Sequence, residues 1–335
     1  AGSDLEVERV VHAMLMERPT YRDEASGRAA VASAHPVSTA AGLEVLAKGG
    51  NVVDAAVATS FALGVVEPDA SGIGGYGEML VHLKGMDRPV LFEFMARVPE
   101  EGGLSNASLL QDGRYPSDGP VLAMVPGTVA GMHAAWKKFG SGQVAWADLL
   151  APAIRYAREG FPVSELIAYY WQSNARSLSK YPGFAEIFMP EGKAPAKGEI
   201  FRNPWLAATL ETIAHGGRDV FYKGEIARKI TLYMQENGGF LTMRDFEEHT
   251  SEWVDPVSVN YRGYDIWELP PNGQGIAALQ MLNIMENYDV RAMGFGSAEY
   301  IHLFTEAKKL AFEDRARYYA DPAFGDIPLE RLLSK

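Results

Sequence analysis

The sequence contains no cysteine. That excludes disulfides, thiolate metal sites and a cysteine nucleophile. It leaves the compartment open, cytoplasmic being slightly favoured over periplasmic or secreted. Basic excess is also lacking: the formal net charge is −12. An acidic surface repels phosphate backbones, so no nucleic-acid partner is expected. No run approaches the about 20 continuous apolar residues that span a bilayer, so no membrane span is expected. The sequence opens at Ala1 with neither a basic n-region nor an apolar h-region, and so shows no signal peptide. Its seven histidines (His12, His35, His82, His133, His215, His249 and His302) form no HExxH or HxH pattern, which predicts no metal site and no cofactor. No nucleophile–base pair is visible, and no GxSxG elbow occurs. No catalytic residue is therefore expected in this chain.

What is present is a helix-rich pattern with a substantial apolar fraction, 47% of 335 residues, enough for a sizeable core. Residues 4–16 have helical apolar spacing and belong to an N-terminal extension, 1–27. Residues 29–34 (AAVASA) are small and apolar, as in a buried strand. Ser38 is the expected cap of a helix that Gly49-Gly50 stops. A helix from about Asn51 to Val66 is apolar nearly all round, which predicts burial. Strand-like segments at 78–84 and 89–95 flank Gly85–Arg88 and read as a hairpin. Further helices are expected from Pro126 to Gly140 and at 146–159, 164–178, 204–215 and 223–236. A second hairpin turns at Arg262-Gly263, and helices follow at 275–287 and 298–319, the last capped by Ser297. Residues 190–199 (PEGKAPAKGE) read as an exposed loop. No linker or repeat divides the chain, so 28–335 reads as one helix-dominated domain, layered with helices on a sheet.

Three features bear on chemistry. SGIGGYG, residues 71–77, has the glycines of a phosphate loop, but Glu78 stands where a Walker loop needs its Gly-Lys-Ser/Thr ending. The order helix, glycines, strand is also the reverse of a dinucleotide fingerprint. A tight turn beside another backbone is the better reading. Asp314, Arg315 and Arg317 could be catalytic, yet charges at this spacing usually brace a packed helix. Arg97 follows a strand and precedes Val98-Pro99. An arginine there can hold a carboxylate in bidentate fashion, or pair with Glu93 or Glu100.

Taken in order, several segments resemble the gamma-glutamyltranspeptidase family. GLEVLAKGGNVVDAAVATSFALGVVEP (42–68) is similar to its Gly-Gly-Asn-Ala-Val-Asp-Ala-Ala helix region, and SGIGGYGEMLV to its glycine-rich turn into a strand. VPGTVAGMHAAWKKFG resembles its Pro-Gly-x-Val-Ala-Gly helix. YRGYDIWELPPNGQGIAALQMLNIME resembles its Tyr-Arg-Gly strand, Pro-Pro turn and helix, and EAKKLAFEDRARYYADPAF its closing helix. The resemblance covers about residues 28–325. It implies an α+β fold, a four-layer αββα N-terminal-nucleophile hydrolase sandwich of which this chain is the large, helix-rich subunit. It also implies a precursor that cuts itself, a partner small subunit beginning with the catalytic threonine, and a small-molecule amide as substrate. A dimer of such heterodimers is compatible with it.

One departure concerns specificity. The family pattern Asp-x-Arg-Glu-x-Ala-Pro uses its arginine for the glutamyl α-carboxylate. Here the run is Glu93-Phe94-Met95-Ala96-Arg97-Val98-Pro99. Aligning the proline puts Met95 at the arginine position and Arg97 two residues on. In an extended segment these two face the same side, about 6.5–7 Å apart. Asn272-Gly273-Gln274-Gly275 likewise replaces the family's Ser-Ser-Gly-Gly. Both changes point from γ-glutamyl specificity toward an amidase or acylase with another acyl group. Met95 and Arg97 are the expected substrate-binding positions. A true γ-glutamyl hydrolase or transferase, and a non-catalytic scaffold of the same fold, are the alternatives.

Overall fold

The structure is a computed structural model that describes residues 27–102, 110, 114, 116–181 and 183–335. The expected helix at 4–16 lies outside the described residues. The principal elements are α1 (Pro36–Ala47), α2 (Val52–Val66), β1 (Gly77–Val81), β2 (Val90–Phe94), α3 (Thr128–Phe139), α4 (Trp146–Glu159), β3 (Phe161–Pro162), α5 (Glu165–Leu178), β4 (Ile200–Phe201), α6 (Pro204–Gly216), α7 (Asp219–Tyr222), α8 (Glu225–Glu236), β5 (Glu252–Val254), β6 (Val257–Tyr261), β7 (Tyr264–Glu268), α9 (Gly275–Met285), α10 (Ala298–Tyr318) and α11 (Leu329–Leu332). The chain forms two compact units. One comprises residues up to Glu78 and Phe94–Ser251; the other comprises Met79–Glu93 and Glu252–Lys335. The boundary falls inside β1 and β2.

In the first unit, α2 is the buried helix its composition predicts. Val57, Ala58, Ala62 and Val66 are fully enclosed, and α1, α3 and α4 pack around it. Burying one such valine is worth about 1.5–3 kcal/mol. Its start is fixed by a reciprocal cap: the Asn51 side chain accepts from the Val53 and Asp54 amides, and Asp54 accepts from the Asn51 amide at 2.9 Å. The same Asp54 oxygen accepts from the Ser141 amide at 3.0 Å, tying the α3–α4 turn to this cap. Trp146 of α4 packs edge-on against Phe61 and His133 and donates its indole N–H to Ile213 of α6 at 3.0 Å.

Two expectations need correction here. Residues 29–34 form no strand. The first helix begins at Pro36, whose fixed φ and missing N–H suit the first turn, so His35 is its N-cap in place of Ser38. His35 Nδ1 accepts from the Val37 amide at 3.2 Å, while the Ser38 hydroxyl donates to the His35 carbonyl at 2.7 Å. The helix expected at 223–236 is α8, which starts at Glu225 with Gly224 as its N-cap; the short α7 ends before it, at Tyr222. Gly224 is held close to α7: a Cβ there would lie 2.4 Å from the Val220 carbonyl oxygen.

In the second unit, β1, β2 and β5 form a sheet in that order, with β2 and β5 antiparallel and Phe92 stacked on Trp253 at 4.0 Å. The β6–β7 hairpin turns as expected at Arg262 (φ 53°) and Gly263 (φ 89°), the paired left-handed residues of a type I′ turn. Asn260 steadies it by accepting from the Gly263 amide at 3.0 Å. Helices α9 and α10 pack through Met285, Leu303 and Ala307. Gln280 bridges them, donating to Asp314 at 2.7 Å and accepting from the Tyr319 hydroxyl at 2.5 Å. Asp314 is thus a packing residue. Arg317 pairs with Glu313 on the same helix at 2.7 Å, and Arg315 lies over the Phe312 ring. Of the three charges, Asp314 reaches another helix through its bond to Gln280, while the Arg315–Phe312 and Arg317–Glu313 contacts stay within α10. No helix among the described residues is long and apolar enough to cross a membrane.

Candidate functional site

The site is built where β2 ends. Gly127, the residue before α3, approaches the end of β2 so closely that a Cβ on it would sit 1.9 Å from the Phe94 carbonyl oxygen and 3.2 Å from that of Met95. One turn on, a Cβ at Gly131 would fall 2.1 Å from the Phe94 ring. These two glycines let α3 lie directly on the Phe94–Met95 backbone. The glycine-rich turn completes the arrangement from the other side. The Gly75 carbonyl accepts from the Gly127 and Thr128 amides at 2.8 and 3.1 Å, capping α3. A phosphate loop presents N–H groups to its ligand; this turn presents a carbonyl to a helix, the close backbone contact that a tight turn makes.

Beyond Phe94 the regular strand ends. Arg97 and Val125 form an isolated antiparallel bridge, the Val125 amide donating to the Arg97 carbonyl at 2.8 Å. Met95 is half-buried and Arg97 is exposed. Glu100, one sequence candidate for pairing with Arg97, lies 3.2 Å from Arg244.

A buried polar cluster supports this bridge. The Tyr222 hydroxyl donates to the Pro126 carbonyl at 2.6 Å and accepts from the Ala130 amide at 3.2 Å, locking the start of α3. Burial raises the phenol far above its ordinary pKa, so it stays a neutral donor. His249 lies flat on the Tyr222 ring, centroids 5.3 Å apart and planes within 6°. Arg218 covers the same ring at 4.5 Å and donates Nη2 to the His249 carbonyl at 2.5 Å. His249 is 1% exposed, and neither ring nitrogen has a hydrogen-bond partner among the described residues. Desolvation, then the positive charges of Arg97 and Arg218, lower its pKa to about 4. Charge and carbonyl geometry thus bring Arg97, Arg218, Tyr222 and His249 together, while sequence reading singled out Arg97 alone. Tyr222 and His249 stand far from it in the chain and in no motif. Only the fold reveals them.

Two buried histidines give an acid-sensitivity prediction. His35 is likewise driven to about 4 by desolvation. Both fall from an ordinary value near 6.5, so above that pH neither state gains a proton. As pH drops from about 6.5 to about 4, the unfolded chain protonates and the folded one resists. Stability should therefore fall across that window by up to about 1.4 kcal/mol per pH unit for each histidine. Urea midpoints measured from pH 7 to 4.5 test this, and a flat profile would refute it.

With this geometry in hand, comparison with known proteins is informative. A family profile described as Gamma-glutamyltranspeptidase matches residues 38–335. The glutathione hydrolase-like YwrD proenzyme of Bacillus subtilis (strain 168) is 41% identical over 311 residues, covering 91% of this chain and 58% of that protein. The acylase ACY 1 proenzyme of Pseudomonas sp. (strain SE83) is 38% identical over 323 residues, covering 93% and 57%. The chain thus spans somewhat over half the length of these curated relatives. The crystal structure of Helicobacter pylori gamma-glutamyltranspeptidase superposes with a TM-score of 0.88 at 35% identity, covering 93% of this chain and 90% of that one. The α+β, N-terminal-nucleophile hydrolase fold class expected from the sequence is the one these similarities show. The chain belongs to the gamma-glutamyltranspeptidase family.

Proposed function

We propose that this chain is the large subunit of an amide hydrolase made as a longer precursor, and that its acyl specificity is not γ-glutamyl. Residues 28–335 are then the large-subunit part of one domain that a second chain completes. The relatives named proenzymes, of which the match covers 58% and 57%, support a longer precursor. The nucleophile is the threonine that begins the second chain. A freed α-amino group has a pKa of roughly 7.7–8.0, so near neutral pH it serves as base for its own hydroxyl. The hydroxyl oxygen attacks the amide carbonyl, the amine leaves with a proton, and water releases the acyl group.

This chain's part is the scaffold and the acyl end of the pocket. The observation that carries the specificity is Met95 at the family arginine's position, with a guanidinium two residues on at Arg97, exposed at the strand end. A carboxylate held there lies elsewhere than a glutamyl α-carboxylate. An acylase among the close relatives agrees with that. A glutathione hydrolase-like protein stands beside it, which keeps γ-glutamyl transfer as the second reading.

Two measurements test this. Mass spectrometry of the full gene product should find a second chain beginning with threonine; a single unprocessed species supports a scaffold without catalysis. The two-chain enzyme should turn over γ-glutamyl p-nitroanilide at least about tenfold less efficiently than its best ω-carboxyacyl p-nitroanilide, a gap of about 1.4 kcal/mol. Equal efficiency would make it a γ-glutamyl enzyme.

A further inference from the structure

Tyr222 is fully enclosed, and its hydroxyl makes two bonds at one place, the start of α3. It donates to the Pro126 carbonyl at 2.6 Å and accepts from the Ala130 amide at 3.2 Å. Pro126 and Ala130 are four residues apart. They carry the two groups that would bond to each other if the helix began one residue earlier. The phenol hydroxyl stands between them. A side chain inserted into this ladder turns the chain away from the helix axis. Residues 125–127 lie outside the helix, against the end of β2. The Val125 amide donates to the Arg97 carbonyl at 2.8 Å, and a Cβ on Gly127 would sit 1.9 Å from the Phe94 carbonyl oxygen. One hydroxyl thus sets how the chain enters α3 and the backbone on which residues 94–97 rest. The ring that carries it is pinned. His249 lies parallel to it at 5.3 Å, Arg218 covers it at 4.5 Å, and the Phe246 ring lies 6.2 Å away.

We propose that Tyr222 is a positioning residue for acyl binding: its hydroxyl, wedged between Pro126 and Ala130, holds residues 125–127 at the spacing that places the backbone of residues 94–97 for the acyl group. This rests on the end of β2 being the acyl end of the pocket. The chemistry suits the task. A hydroxyl donates and accepts at the same oxygen, so it can bridge a carbonyl and an amide that are kept apart. Burial raises the phenol far above its ordinary pKa, so it keeps the proton that the Pro126 carbonyl needs. Phenylalanine would fill the same space, but it would leave that carbonyl and the Ala130 amide to close on each other. Residues 125–127 would then draw toward the helix and away from the spacing that the Arg97–Val125 bridge requires.

The full two-chain enzyme provides the test, with glutaryl p-nitroanilide as the probe. Tyr222→Phe keeps the ring and removes the wedge. It should raise KM about tenfold, with kcat changed by less than about threefold. Phe246→Leu is the control for lost packing, since it trims the ring beside Tyr222 and keeps the hydroxyl. It should lower the melting temperature and leave KM unchanged. An equal rise in KM in both variants would make the effect of Tyr222 one of general stability and overturn the proposal. Hydrogen exchange gives a second readout that needs no turnover. In Tyr222→Phe, peptides spanning 94–98 and 122–131 should exchange about tenfold faster, while those of α10 should not. No local change would overturn the role of Tyr222 alone. Faster exchange with an unchanged KM would overturn the proposal through its premise, because the end of β2 would then not be the acyl end. An enzyme inactive on every amide would sink the hydrolase reading and leave exchange to decide the wedge. If Tyr222→Phe fails to fold, the wild-type enzyme decides. Saturating glutarate should slow exchange of the same two peptides, since binding and the wedge are linked reciprocally. No slowing would overturn the proposal.

Discussion

Replacing Gly127 with alanine should cost more than about 3 kcal/mol, the upper range for forcing extra volume into a packed interior. The reason lies in what the new methyl meets. At Gly131 the obstacle is the Phe94 ring, a side chain that can turn aside. At Gly127 it is the Phe94 carbonyl oxygen, 1.9 Å from where the Cβ must go, with the carbonyl carbon at 2.7 Å. Backbone cannot rotate away without moving the strand end. Nor can α3 retreat freely, because the Gly127 and Thr128 amides are bonded to Gly75 and the Pro126 carbonyl to Tyr222. Relief must therefore come from displacing Phe94–Arg97, so surviving protein should also bind acyl groups poorly. Gly74→Ala is the control. That glycine lies in the same motif-rich region, is exposed, and has nothing within 4 Å of a built Cβ. It should stay within about 0.5 kcal/mol of wild type. Urea unfolding followed by circular dichroism compares the two. A Gly127→Ala protein within about 1 kcal/mol of wild type would show that the two backbones are not held as tightly as described.

The same pair of glycines marks how far sequence could reach. Helix α2 was legible because its apolar residues leave no polar face, and the β6–β7 turn because two consecutive left-handed residues need a partner like Gly263. The glycine-rich run was legible as a backbone contact, but not the identity of that contact. That a carbonyl of 71–77 would cap α3, about fifty residues on, leaves no mark on local spacing. Residues 29–34 misled for a related reason: small apolar residues suit a buried strand and a buried irregular segment alike, and pattern alone cannot separate them. At the site, Arg97 stood out because it ends a strand. His249 looked like six other histidines until the fold laid it on Tyr222.

Removing the Arg97 guanidinium should have the largest effect on binding. Under the proposed specificity, Arg97→Ala should raise KM for glutaryl p-nitroanilide by about 10- to 100-fold, since a hydrogen bond to a charged group is worth about 1.5–3 kcal/mol. Butyryl p-nitroanilide carries nothing for the guanidinium to hold, so its KM should not move. The Arg97–Val125 bonds run through the backbone, which alanine keeps, so the bridge at the strand end should survive. That combination separates binding from structure. A residue that mattered by bracing the strand end would lower the melting temperature and affect both substrates alike. Arg97→Lys should restore only part of the loss, because an ammonium supplies charge without the planar fork. The reciprocal substitution, Met95→Arg, returns a guanidinium to the family position two residues back. If position along the strand sets which carboxylate is held, Met95→Arg with Arg97→Ala should gain efficiency on γ-glutamyl p-nitroanilide as it loses it on the glutaryl probe. Loss on both would mean that the γ-glutamyl group is rejected by parts of the pocket outside residues 93–99, and that the departure at Met95 follows from the specificity without causing it.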